Sequence, residues 1–289
     1  MSQGTAIVTG SAQGIGKAIA LNLSRNGFNV ALNDLPSEKA KLDMVLNEVV
    51  LTGVQCRTYM ADVSNEQEVK AMILAVVSDF GGIDVMVANA GVPYAQKFVD
   101  TPAESWDHTF AVNTRGVFLC YKHAAIQMIA QGRGGRIIGA SAIQGVQAVW
   151  PSATAYGASA AATRGLTQSA ALELGAHNIT VNAYAPTFVD AALGHQIVKD
   201  IDISIGILPE QSKTNEIVNI YLFFSWLLLS FREIARCPLP QGIGQRNDVA
   251  SVVAYLASKE ARFITGQCVS INGGLVMTQF DEMIVLVQV

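Results

Sequence analysis

Positive charge is scarce in this chain. Lysine and arginine number 19 among 289 residues, against 23 acidic residues, and charged residues make up 15% of the whole. No stretch is rich in Lys or Arg, so neither nucleic acid nor an anionic membrane surface is expected as a partner. Cysteine is sparse too. Cys56, Cys120, Cys237 and Cys268 lie far apart and form no Cys-x-x-Cys pair. Reduced, buried thiols are therefore expected, and no metal site. The N-terminus enters "TAIVTG" without a basic leader, which favours the cytoplasm. Only one uncharged apolar run is long, "IVNIYLFFSWLLLSF" at Ile217–Phe231, and its 15 residues fall short of the ~20 needed to cross a bilayer. No membrane span is expected. The run reads as a buried or interface helix, as an apolar lid over a substrate site, or as non-coding sequence translated in frame. The tail "DEMIVLVQV" after Phe280 invites the last reading as well.

What is abundant is apolar sequence, 51% of residues, enough for a sizeable core. Short apolar runs alternate with longer amphipathic ones. Strands are expected at Thr5–Thr9, Asn29–Asn33, Gln55–Met60, Ile83–Ala88, Arg136–Ala140, Thr180–Ala183 and Val269–Ile271, with helices such as Gly14–Asn26, Glu38–Leu51 and Glu66–Phe80 between them. Continuous apolar strands separated by helices predict an α/β fold, a Rossmann-like doubly wound parallel sheet of about seven strands with helices on both faces. No repeat or linker divides the chain. Residues 1–289 read as a single dinucleotide-binding domain, with 191–241 an atypical substrate-lid insertion within it.

"IVTGSAQGIGKAIA" places Gly10, Gly14 and Gly16 between the first strand and the first helix, with Gln13 in the loop. Glycines let backbone approach a pyrophosphate closely, and the helix N-terminus offers free N–H groups and partial positive charge. A structural turn is the plainer alternative. The second strand ends in an acid, Asp34 of "NVALNDLP". A carboxylate there accepts hydrogen bonds from both ribose hydroxyls and repels a 2′-phosphate, favouring NAD over NADP. Asp34 could otherwise be a helix N-cap or turn residue.

Together with "ADV" at Ala61–Val63, "ANAG" at Ala88–Gly91, Asn113 in "FAVNTRG", Tyr156 in "TAYGASAAATRGLTQ" and "TVNAYAP", these motifs resemble the short-chain dehydrogenase/reductase family over roughly Thr5–Val189 and Gly242–Gly274. The wording of "ALNDLP" and "RGLTQSAALELGAHNITVNAYAP" is most similar to acetoin (diacetyl) reductases and butanediol dehydrogenases. The resemblance implies hydride transfer between a nicotinamide cofactor and a small secondary alcohol or ketone, in a homodimer or homotetramer. It implies that Asp62 and Val63 hold the adenine, that Asn89 and Gly91 line the cofactor, and that Ile15 covers the pyrophosphate. Val189 would contact the carboxamide, Asn113 would fix a water in a proton relay, and Tyr156 would be the acid/base.

The resemblance breaks at the chemistry. Four residues after Tyr156 the family has a lysine that lowers the phenol pKa and binds the nicotinamide ribose; here stands Ala160. Arg164 is about 12 Å of helix from Tyr156 and is not credited as a replacement. The family's second serine after the fifth strand falls on Ala142 counted from the strand, and on Ile143 counted back from Tyr156. Ser141 could serve if the register slips by one. Thr187 and Ala191 replace a glycine and a threonine beside the expected nicotinamide. Two functions follow: an oxidoreductase with impaired chemistry, or a silent dinucleotide-binding pseudo-enzyme acting as a regulatory or oligomer partner.

Overall fold

Residues 2–187, 189, 238–239 and 244–277 are described by a computed structural model of the chain. The readings on Ile217–Phe231, on Ala191 and on the tail after Phe280 lie outside the described residues, as does all of the 191–241 segment but Pro238 and Leu239. Each apolar run forms a strand: β1 Thr5–Thr9, β2 Asn29–Asp34, β3 Cys56–Met60, β4 Val85–Ala88, β5 Gly135–Ala140, β6 Ile179–Pro186 and β7 Cys268–Ile271. The helices are α1 Gly14–Arg25, α2 Lys39–Val50, α3 Glu66–Phe80, α4 Ala103–Phe110, α5 Val117–Gln131, α6 Thr154–Leu174 and α7 Arg246–Ala257.

The seven strands form one sheet in the order β3-β2-β1-β4-β5-β6-β7, every neighbouring pair parallel. Successive side chains of a strand face opposite sides, so a sheet covered twice must be apolar at every position. The middle of β1, Ala6–Val8, meets this condition. Val8 packs with Val30, Leu32 and Ile138 under α1, α2 and α7. Ile7 packs with Ala31, Met86 and Ile137 beneath α3 and α5.

Element ends depart from the sequence reading where tertiary pairing overrides local pattern. β6 runs on from Ala183 to Pro186 because Pro186 pairs with Ile271 of β7. β4 starts at Val85, since Ile83 is held instead by Gln131, whose carboxamide accepts from its N–H and donates to its carbonyl, both at 2.8 Å. Pro36–Glu38 form a 3₁₀ turn, so α2 begins one residue late. Among the described residues, no helix is long and apolar enough to cross a membrane, and no cluster could hold a metal ion.

Leu32 has 0% exposure on β2, between β1 and β3. Truncating it leaves a cavity in a layer that cannot collapse around it, so Leu32→Ala is expected to cost about 2–5 kcal/mol in denaturant unfolding. A loss under about 0.5 kcal/mol, in the range of surface substitutions, would mean that this layer is not the core.

Candidate active site

Strand order reverses between β1 and β4, so the chain leaves β1 toward β2 and returns to β4 on the other side. A crevice opens at the carboxyl ends of such strands. Here it is a cavity of about 370 Å³. Its floor is the glycine loop. Gly10 adopts φ +64°, a left-handed conformation that costs other residues strain. A Cβ on Gly16 would run into the Gly10 carbonyl oxygen, so α1 can start this close to β1 only with glycine there. Gln13, Gly14 and Ile15 complete the loop wall.

At one end of the cavity lie Asp34, Asp62 and Val63. Asp34 ends β2, and its carboxylate accepts from the Ala12 N–H and from the Leu35 N–H, both at 2.9 Å. It therefore clamps the glycine loop while still facing the cavity. Asp62 accepts from the N–H and hydroxyl of Ser64, both at 2.8 Å. Asn89 and Gly91 line the middle. Asn89 Nδ2 donates to Thr9 O at 2.8 Å and to Gly10 O at 3.2 Å. Val189 lies beyond β6, bridged to Gly244.

The proposed chemical groups face the same cavity. Asn113 sits in a π-helical turn, Ala111–Gly116, between α4 and α5. Such turns often mark functional sites, since the extra residue re-aims a side chain. Its Oδ1 accepts from Val92 N–H at 2.8 Å; its Nδ2 donates to Val92 O at 3.0 Å and to Ser159 Oγ at 3.3 Å. Its own carbonyl accepts from the Thr163 hydroxyl at 3.2 Å. Ala142 lines the cavity, whereas Ile143 is fully buried in the following turn. Ser141 also reaches the cavity wall, but its hydroxyl donates to Ala160 O at 2.9 Å. Donation to a substrate oxygen would require leaving that carbonyl. Ala160 is packed from the other side by Gly145, where a Cβ would collide with the helix backbone.

Tyr156 projects from the first turn of α6 into the cavity. Burial pushes its phenol up to about 12. Removing an anion's hydration disfavours ionisation, and among the described residues no cation offsets this. The charge of Arg164 falls on Cys268. At pH 7 only about one Tyr156 phenol in a hundred thousand would be ionised.

Every site residue read from the sequence thus borders one cavity. Three others were missed. Asn33, 1% exposed, borders the cavity, and its buried Oδ1 has no hydrogen-bond partner among the described residues. Trp150 lines the cavity too, its loop held by Gln144, which accepts from Val149 N–H at 2.9 Å and donates to Trp150 O at 2.8 Å. Tyr184 is a large, polar-tipped residue in a strand of small ones, a signal that "TVNAYAP" carried. Thr187 Oγ1 is likewise buried and unpaired among the described residues. Two orphaned oxygens and a cradle that no Cβ could enter fit a polar, pyrophosphate-bearing ligand such as a dinucleotide.

The family model described as short chain dehydrogenase matches residues 4–202. A short-chain dehydrogenase/reductase of Armillaria gallica is 45% identical over 96% of this chain and 97% of its own length. Among solved structures, acetoin dehydrogenase YohF from Salmonella typhimurium is 33% identical, with a TM-score of 0.75 over 95% of this chain and 97% of its own. An NAD⁺-bound xylitol dehydrogenase is 30% identical, with a TM-score of 0.82 over 94% and 99%.

Spectrophotometric titration of Tyr156, read as the difference between wild type and Tyr156→Phe, is expected to give a midpoint near 12. The folded state then holds this proton more tightly than the unfolded chain, where tyrosine titrates near 10. Its stabilisation is complete below pH 10 and is lost as pH rises from about 10 to 12. A midpoint below 10 would show that an unrecognised cation serves the phenol.

Proposed function

Because the chain belongs to the short-chain dehydrogenase family, we propose that it binds NAD(H) and interconverts a small secondary alcohol and a ketone, with a slowed chemical step. The observation that carries this reading is the convergence of Tyr156, Asn113, the glycine loop and Asp34 on one cavity. A bound nicotinamide would supply or accept the hydride. The chain's part is the proton, and Tyr156 is the residue placed to exchange it with the substrate oxygen. A protonated phenol donates to a developing alkoxide, so ketone reduction is supported. Alcohol oxidation needs the tyrosinate, which burial disfavours.

Misplacing a general acid/base costs ~10²–10⁴ in rate, and loss of carbonyl polarisation costs ~10²–10³. The two do not add, because such residues act as a unit. The same observations support a second reading, a silent dinucleotide-binding subunit: Ala160 and Ala142 stand where the family has lysine and serine, and Ser141 is engaged by α6. Under either reading we infer one domain built on the single sheet, a cytoplasmic location, and assembly as a homodimer or homotetramer.

Wild type, Ala160→Lys and Ala142→Ser/Ala160→Lys, assayed with NADH and a panel of diketones, separate these readings. Restoring the cation is expected to raise the reduction rate by about 10²–10⁴, and the double variant further. Wild type that binds NADH without turnover of any diketone supports the silent subunit. Ordinary wild-type rates, unimproved by Ala160→Lys, would overturn the account of impaired chemistry.

Cofactor choice has its own test. Asp34→Ala removes the carboxylate that would accept the ribose hydroxyls and repel a 2′-phosphate. The ratio of NADH to NADPH affinity is expected to fall about tenfold or more. The ratio is the proper readout, because the clamp on Ala12 is lost for both cofactors. Tighter binding of NADPH than NADH to wild type would remove the role given to Asp34.

A further inference from the structure

We propose that Tyr184 is a positioning residue that holds the glycine loop in its binding shape through Asn89. The inference rests on the dinucleotide reading of the cavity.

Tyr184 lies on β6 between Ala183 and Ala185, 1% exposed. Its register partner on β5 is Ala140, small enough to let the ring lie across that strand. The Tyr184 hydroxyl donates to Asn89 Oδ1 at 2.8 Å. The opposite end of the same carboxamide donates to the carbonyls of Thr9 and Gly10. The contact therefore reaches from β6, over β5, to the end of β4 and on to the end of β1. Burial keeps the Tyr184 phenol protonated far above its ordinary range, so it remains a donor.

A donor on one side and two carbonyl acceptors on the other leave the Asn89 carboxamide a single satisfied orientation. That orientation matters because there is no slack around it. A Cβ on Gly16 would strike Asn89 Nδ2 as well as the Gly10 carbonyl, and one on Gly10 would strike the Ala90 backbone. A turned or shifted amide would press on the loop that would cradle a pyrophosphate. Thr187, which follows β6, and Val189 also line the cavity. One side chain thus ties β6 to the glycine loop.

Tyr184→Phe keeps the ring and removes the hydroxyl. NADH affinity is expected to fall about tenfold. Adenosine, which would occupy only the Asp34, Asp62 and Val63 end, is expected to bind as it does to wild type. Amide hydrogen exchange is expected to quicken across residues 9–16 and to stay unchanged in α3. Tyr121→Phe is the control: it deletes a fully buried phenol that meets Thr167 at 3.0 Å on the other face of the sheet. Unchanged NADH affinity and loop exchange in Tyr184→Phe would overturn the proposal. So would a loss of adenosine binding equal to that of NADH, or the same losses in Tyr121→Phe. Should wild type bind no dinucleotide, the reading of the cavity fails, while the exchange rates of residues 9–16 still decide whether Tyr184 holds the loop.

Discussion

Where strand order reverses between β1 and β4, two parallel strands end side by side and the chain departs from them in different directions. Their last backbone groups have no continuing ladder to satisfy them, and an unpaired buried group is costly. Thr9 and Asn89 meet that demand. The Thr9 hydroxyl oxygen accepts from the N–H groups of Asn89 and Ala90 at 2.9 and 3.0 Å. The Asn89 carboxamide returns bonds to Thr9 and Gly10. This reciprocal stitch lets the sheet open at its centre without fraying. The glycine loop, the approach of α1 and the cavity itself all depend on that opening.

The other half of the site is organised around α6, and there the hydrogen bonds serve packing more than chemistry. Ser141 and Thr163 spend their protons on the carbonyls of Ala160 and Asn113. Asn113 spends its side chain on Val92 and Ser159. A lysine at position 160 would have brought a cation into this neighbourhood. Without one, the described residues around Tyr156 supply no offsetting charge, and burial favours the protonated phenol. The part of the cavity lined by Asp34 differs in kind: it keeps a carboxylate facing the cavity and, on Asn33, a buried oxygen without a partner among the described residues.

Much of this was legible before any coordinates, for physical reasons that vary by element. β1 was readable because both its faces are buried, which forces the apolar run Ala6–Val8 between its two threonines. The glycine loop was readable because a left-handed turn and a close helix approach leave glycine little competition. Asp34 was readable because an acid ending an apolar strand is rare without a partner. Strand ends such as Pro186 were not, because pairing with β7 sets them and no local pattern reports it. Ile83 looked like strand because its apolar character is real, yet it is buried by a side chain's clasp and not by a ladder. The standing of Ala142 against Ile143 could not be counted from sequence, since the two anchors disagreed by one residue; the turn after β5 buries Ile143 and leaves Ala142 on the cavity. Tyr184 is not legible as a site residue inside "TVNAYAP", because its value lies in where its hydroxyl reaches.

The two halves of the site draw on different elements, and this gives the proposed chemistry a direction. Under the proposed function, the adenosine and pyrophosphate would rest on β1, β2 and the end of β4, whereas position 160, where the family's lysine binds the nicotinamide ribose, offers only a methyl group. Proton exchange depends on one phenol on α6. In ketone reduction that phenol starts in the form burial favours, donates, and becomes a strong base that recaptures a proton readily. In alcohol oxidation it must first surrender the proton that burial holds, before any substrate bond changes. The first course meets the cost of the buried anion only transiently, in a transition state where charge is shared with the substrate oxygen. The second incurs nearly the full cost beforehand. Under the proposed function, the form of the phenol that burial favours is the one that ketone reduction starts from, while the ratio of the two overall rates stays set by the equilibrium of the reaction itself.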